Sequence, residues 1–117
     1  MEDAMSLLYF AQDDEHQQIE FEGAVLSVLL GSDTTSGQVS VIRTRVPGGF
    51  APPVHVHYQE DEMYVLLEGS AIFWAGDTRQ ELFAGGATLL PRNLPHALRI
   101  TSQSADVLIV CTPAGIE

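Results

Sequence analysis

Residues 49–69 read Gly-Phe-Ala-Pro-Pro-Val-His-Val-His-Tyr-Gln-Glu-Asp-Glu-Met-Tyr-Val-Leu-Leu-Glu-Gly, and the fold can be worked outward from this stretch. Pro52 and Pro53 make a loop, because proline has no N–H to give to a ladder. His55 and His57 stand two apart on a strand-like segment, so both imidazoles project to one face. A polar turn, Tyr58–Asp61, separates them from a β-rich run that opens at Glu62. A hairpin folding back at that turn sets the Glu62 carboxylate beside the two rings. Tyr64 and Leu66 share the parity of Glu62 and point inward, whereas Met63 and Val65 face the other way. Glu60 and Asp61, in the turn, are expected to face solvent.

On either side the same texture continues. Downstream, strand-like segments are expected at Ser70–Ala75, Gln80–Phe83, Ala87–Leu90, His96–Thr101 and Val107–Cys111. They are punctuated by Glu68-Gly69, Gly76-Asp77, Gly85-Gly86, Arg92-Asn93 and Gln103-Ser104. Upstream lie Ala24–Leu30 and Gln38–Val46, joined by the turn-rich Gly31–Gly37. The second of these alternates, with Val39, Val41, Arg43 and Arg45 on one face and Ser40, Ile42, Thr44 and Val46 on the other. Short strands at intervals of about 8–12 residues point to a sandwich or barrel. The expected fold class is all-β, a single domain over residues 24–117. Residues 1–23 are an N-terminal arm or loosely held strand, with an acidic run at Gln12–Glu20 in which His16 reads as a solvated surface residue.

Composition narrows the chemistry. The 117 residues carry 5 basic and 16 acidic side chains, a net charge of −11. All five bases are arginine (43, 45, 79, 92 and 99) and there is no lysine, so Schiff-base, pyridoxal-lysine and phosphate-loop chemistries are excluded. No basic face exists for nucleic acid, and an anionic membrane repels this surface. Arg43 and Arg45, on one face of an acidic protein, are expected to make ion pairs. The single cysteine, Cys111, lies in an apolar run, cannot form an internal disulfide and reads as a buried small hydrophobe. The N-terminus lacks the positive charge of a secretory signal, and no run approaches the ~20 apolar residues of a membrane span. A cytoplasmic protein acting on small molecules is expected.

Three of the four histidines gather in two places. His96 follows Pro95 at the head of a strand and shares its face with Leu98 and Ile100. Brought together on a concave β surface, His55, His57, His96 and Glu62 offer three imidazoles and a carboxylate, a donor set suited to a first-row transition metal. The spacing Gly49-(5)-His55-Val-His57-(4)-Glu62-(6)-Gly69 resembles the first cupin motif, and Gly85-(5)-Pro91-Arg-Asn93-(2)-His96-(3)-Ile100 resembles the second. Asn93 stands where that family usually has Gly, and Ile100 where Asn is usual; Asn tolerates a left-handed turn, and neither position is a metal ligand. Together with Pro52-Pro53, Ile72-Phe73-Trp74 and the Thr112–Glu117 tail, the chain looks most like quercetinase-like single-domain cupins.

That resemblance implies a jelly-roll β-barrel and one divalent ion per subunit (Fe, Mn, Ni, Co, Cu or Zn) held by His55, His57, Glu62 and His96. Tyr64, Leu66, Phe73, Leu98 and Ile100 are expected to line the substrate pocket, with Glu62 and Tyr64 as catalytic groups. The leading expectation is a metal-dependent dioxygenase acting on an enol or phenol, flavonol-like or polyketide-like, with Glu62 moving the substrate proton. A non-oxidative cyclase, isomerase or decarboxylase using the same enolate chemistry is the alternative, and a non-catalytic binding cupin the third. A homodimer is expected, because small open sheets expose edges, with Leu7–Phe10 as the segment that crosses to the partner. Trp74, Met63 and Val65 are expected to pack on a second sheet or a second subunit.

Overall fold

The computed structural model describes residues 4–13, 18–21 and 23–116. His16 and its neighbours at 14, 15 and 17 in the acidic run therefore lie outside the described residues. After a short 3₁₀ turn at Ala4–Leu7 the described chain is built of strands: β1 Gln18–Phe21, β2 Ala24–Leu30, β3 Ser40–Pro47, β4 Asp61–Glu68, β5 Ser70–Ala75, β6 Thr78–Phe83, β7 Ala87–Leu90, β8 His96–Ile100 and β9 Ser104–Thr112. They form two antiparallel sheets, one ordered β1-β2-β3-β9-β4-β7 and the other β6-β5-β8. The expected all-β single domain is what the chain forms. No described helix is long and apolar enough to cross a membrane.

Alternation decides which way each strand faces. In β4, Glu62, Tyr64 and Leu66 are buried, and in β8 the same holds for His96, Leu98 and Ile100. In β3 the buried set is Ser40, Ile42, Thr44 and Val46, leaving Arg43 and Arg45 outside. The two inner faces meet in a core that includes Val46, Tyr64, Leu66, Ala71, Phe73, Ile100 and Val107. The Tyr64 ring meets Phe73 edge-on across the sheets, 5.4 Å between centroids and 62° between planes, the arrangement aromatic quadrupoles favour.

The exterior arginines are paired as anticipated. Arg43 grips Asp106 with two hydrogen bonds, and Asp13 lies 3.5 Å from Arg43 and 3.2 Å from Arg45, tying the N-terminal segment to β3. Trp74 faces outward from the smaller sheet, where the Arg79 and Arg99 guanidinium groups each sit 5.9 Å from its ring. A cationic pair on one indole, rather than a second sheet, covers this residue.

β3 starts two residues later than expected and β6 two earlier, and the strand pattern departs from expectation in two further places. Val54–His57 is not a strand: only His55 makes a bridge, to His96, because the prolines before it cannot extend a ladder. β9 begins three residues earlier than expected, at Ser104, where the loop before it is pressed against Gly69. Gly69 has φ 87°, and a Cβ there would lie 2.5 Å from the Ser104 carbonyl oxygen, so only glycine fits this turn.

Candidate metal centre

Three chain segments build the site. The loop holding His55 and His57 leads into β4, whose second residue is Glu62, and His96 opens β8. His55 and His96 exchange backbone hydrogen bonds, His55 N–H to the His96 carbonyl at 3.0 Å and the reverse at 2.9 Å. The Asn93 N–H donates to the His57 carbonyl at 2.7 Å. Asn93 does so at φ 71°, the left-handed turn for which its side chain suits it. Next to it, Arg92 donates to Asp61 from its backbone N–H at 2.9 Å and from Nε at 3.2 Å. The 91–96 loop is thereby clamped onto the 55–61 loop, and the ligands from the two halves meet.

One donor atom from each of His55, His57, Glu62 and His96 lies within 4.8 Å of all the others. The rings of His55 and His96 are 4.3 Å apart, those of His55 and His57 5.1 Å, and those of His57 and His96 5.7 Å. Glu62 Oε1 sits 3.1 Å from His96 Nε2 and 3.7 Å from His57 Nε2.

The tautomers are set locally. His55 Nδ1 lies 3.0 Å from the Pro53 carbonyl oxygen, and His96 Nδ1 lies 3.1 Å from that of Leu94. A carbonyl only accepts, so both Nδ1 atoms carry hydrogen and both Nε2 lone pairs remain for an ion. Burial of the His96 ring opposes its protonation, but the hydrogen bonds to Glu62 and to the Leu94 carbonyl outweigh it, and its pKa rises. The His96–Glu62 contact is thus one that a shared proton or a shared cation satisfies, and the donor chemistry fits a first-row divalent ion. Glu60, expected to face solvent, keeps its carboxylate largely shielded and 3.8 Å from His57 Nδ1, while Glu62 is the acid in the cluster.

The cluster opens on an apolar hollow of about 540 Å³ whose walls include Leu26, Val28, Ile42, Ile109 and Ile116. A second, smaller hollow of about 160 Å³ lies deeper and shares Leu26 and Ile109 with the first. Tyr64, Leu98 and Ile100, expected on the pocket wall, line this inner hollow. Leu66 and Phe73 are on the wall of neither and sit in the core, 2% and 5% exposed. The Tyr64 ring stands between Phe73 and the space, and Leu66 lies where β4 joins the Gly85-Gly86 turn by two backbone hydrogen bonds. Burial pushes the Tyr64 phenol well above its ordinary range and the nearby Glu62 carboxylate adds to this, so at neutral pH the group is an O–H donor.

The sequence reading missed the walls contributed by β2, β3 and β9: Leu26, Ile42, Thr44 and Ile109. Ile42 and Thr44 were within reach, since they occupy the face of β3 opposite Arg43 and Arg45.

Known proteins resemble this chain in the same terms. A family model described as a cupin domain matches residues 42–113. An uncharacterised protein of Methanocaldococcus jannaschii is 25% identical over 109 residues, covering 92% of this chain and 87% of its own. Among solved structures, KdgF from Halomonas sp. superposes with a TM-score of 0.81 at 16% identity, over 92% of this chain and 96% of that one. A predicted oxalate decarboxylase from Thermotoga maritima also gives 0.81, at 18% identity, over 90% and 99%. The oxalate decarboxylase of Bacillus subtilis, a protein with Mn(II) centres, gives 0.78 at 20% identity; 92% of this chain matches 30% of that longer one. At these identities the superpositions speak for the fold.

Proposed function

The chain belongs to the cupin domain family, and from that premise we propose that it is a metal-dependent enzyme, a quercetinase-like dioxygenase acting on an enol or phenol beside a carbonyl in a neutral, largely apolar molecule. The observation that carries this reading is a three-histidine, one-carboxylate cluster facing a cup with no cation on its walls. All five basic side chains are placed elsewhere. Arg43 and Arg45 hold Asp106 and Asp13, Arg92 holds Asp61, and Arg79 and Arg99 flank Trp74. A substrate bearing a carboxylate needs a cation to meet its charge; an aryl or polyketide body with a neutral oxygen pair suits this lining.

A divalent ion (Fe, Mn, Ni, Co, Cu or Zn) held by His55, His57, Glu62 and His96 would supply Lewis acidity and open coordination positions for substrate and dioxygen. Glu62 is the group that takes the hydroxyl proton of the substrate, since it is the buried carboxylate at the mouth of the apolar space. Tyr64, one inward position further along β4, serves as a hydrogen-bond donor that orients the substrate rather than as a base. The Pro53 and Leu94 carbonyls keep the His55 and His96 rings in the required tautomer.

Oxygen uptake by the metal-loaded protein over a panel of small enols and phenols tests the proposal. Uptake stoichiometric with product supports it. Turnover that proceeds under argon points instead to the non-oxidative cyclase, isomerase or decarboxylase, and no turnover with any of the six metals overturns the enzymatic reading in favour of a binding cupin. We further infer a homodimer in a reducing compartment such as the cytoplasm. A single cysteine, the exposed side chains of Leu8, Tyr9 and Phe10, and the open edge of β1 support this.

A further inference from the structure

We propose that the inner hollow is a ring subsite: it receives a six-membered ring of the substrate, and Thr44 is the anchor for a hydroxyl or carbonyl on that ring. This rests on the reading of the outer cup as a substrate site.

Size is the first argument. The inner hollow measures about 160 Å³, and an apolar cavity of about 150 Å³ stays dry and takes up benzene. Its walls are almost wholly hydrocarbon, with Val46, Phe50, Leu98, Ile100 and Val107 among them. A ring entering such a space meets carbon over most of its surface.

Polarity is the second. Three buried side-chain polar atoms among the described residues lack a hydrogen-bond partner: Asp13 Oδ1, Ser27 Oγ and Thr44 Oγ1. Of these residues, Thr44 lines the inner hollow, and it is only 6% exposed. A χ1 step of about 120° carries the hydroxyl to the place its methyl held, so the oxygen can turn toward the space without backbone movement. An unpartnered buried hydroxyl is costly, about 1–3 kcal/mol, and a substituent on the ring supplies the missing bond.

Register gives the third. Along β9, Cys111 lies opposite Glu62, Ile109 opposite Tyr64 and Ile42, and Val107 opposite Thr44. Ile109 borders both hollows and Val107 the inner one. From the Glu62 level to the Thr44 level is four residues of strand, about 13 Å. The occupant is therefore elongated, with its oxygen pair at the histidines and a ring substituted at the far end, near Thr44.

The experiment uses metal-free protein with phenol and toluene as probes, following side-chain methyl resonances in NMR titrations. Both probes are expected to shift the methyls of Ile100 and Val107. In Thr44→Val the affinity of phenol relative to toluene should fall about five- to tenfold, the worth of one hydrogen bond. Thr44→Ser, which keeps the oxygen, should retain the wild-type ratio. Shifts confined to Ile42 and Ile116 of the outer cup, or a ratio unaltered by Thr44→Val, would overturn the subsite. No ion and no turnover enter this measurement, so a failed oxygen assay beside a positive titration sinks the oxygenase reading alone, and the converse sinks the ring subsite alone.

Discussion

His55 and His96, from opposite halves of the chain, bind each other backbone to backbone through two hydrogen bonds of 3.0 and 2.9 Å. The peptide frame that carries two of the four donors is thus assembled by the polypeptide itself, before any ion is considered. Preorganisation of this kind lowers the ordering cost that metal binding has to offset.

Removing a donor should therefore empty the site without unfolding the barrel. Protein purified from cells is expected to carry about one transition-metal ion per chain by elemental analysis, and His57→Ala or His96→Ala should reduce this to background. Glu62→Gln keeps the shape of the side chain but not its basicity, and turnover is expected to drop about 10²–10⁴-fold with the circular dichroism unchanged. Full metal content in the histidine variants would count against the cluster.

Asn93 offers a test of the turn that delivers His96. At φ 71° a β-branched side chain is strained, so Asn93→Val should lose about 1–2 kcal/mol in urea denaturation. Asn93→Gly should be close to neutral. The Val variant should also weaken metal retention, because the Asn93 N–H bond to His57 depends on the same backbone conformation.

Acid should loosen the β3–β9 pairing by a traceable route. The hydrogen bonds from Arg43 hold the Asp106 carboxyl below its ordinary value of 3.8. A carboxylate whose pKa is lower folded than unfolded adds stability that is complete above the ordinary value and is lost as pH falls through the folded one. Wild-type Tm is expected to decline through that window, whereas Asp106→Asn should start a few degrees lower at neutral pH and respond less to acid. Equal acid sensitivity of the two proteins by calorimetry would refute the assignment.

The N-terminal segment should govern assembly. Phe10 is 84% exposed and Leu8 and Tyr9 are also exposed, beyond what an isolated chain gains from them. Light scattering is expected to give about twice the 12.7 kDa chain mass, and Leu8→Ser with Phe10→Ser should return the monomer. A monomeric wild type would end the homodimer proposal.

Much of the architecture was visible in period-2 alternation. Glu62, Tyr64 and Leu66 in β4, and His96, Leu98 and Ile100 in β8, have the parity that burial confirms, because one face of each strand meets the core. The two histidine clusters could be joined on paper because their spacings match a known pair of motifs. What stayed hidden depends on partners distant in the chain. No local pattern says that β9 lies between β3 and β4, so Ile109 was not foreseen on the wall of the cup. The carbonyls that orient His55 and His96 belong to backbone, which leaves no mark in residue identity. Phe73 has inward parity yet lies behind Tyr64, a matter of depth that alternation does not encode.

The Gly76-Asp77 turn between β5 and β6 stands on the surface, with His55, His57 and Glu62 before it and His96 after it. A chain nicked there would yield two fragments, neither owning a full set of donors. Coordination would then report their reunion, which makes this small scaffold a natural starting point for a split sensor whose signal is the capture of an ion.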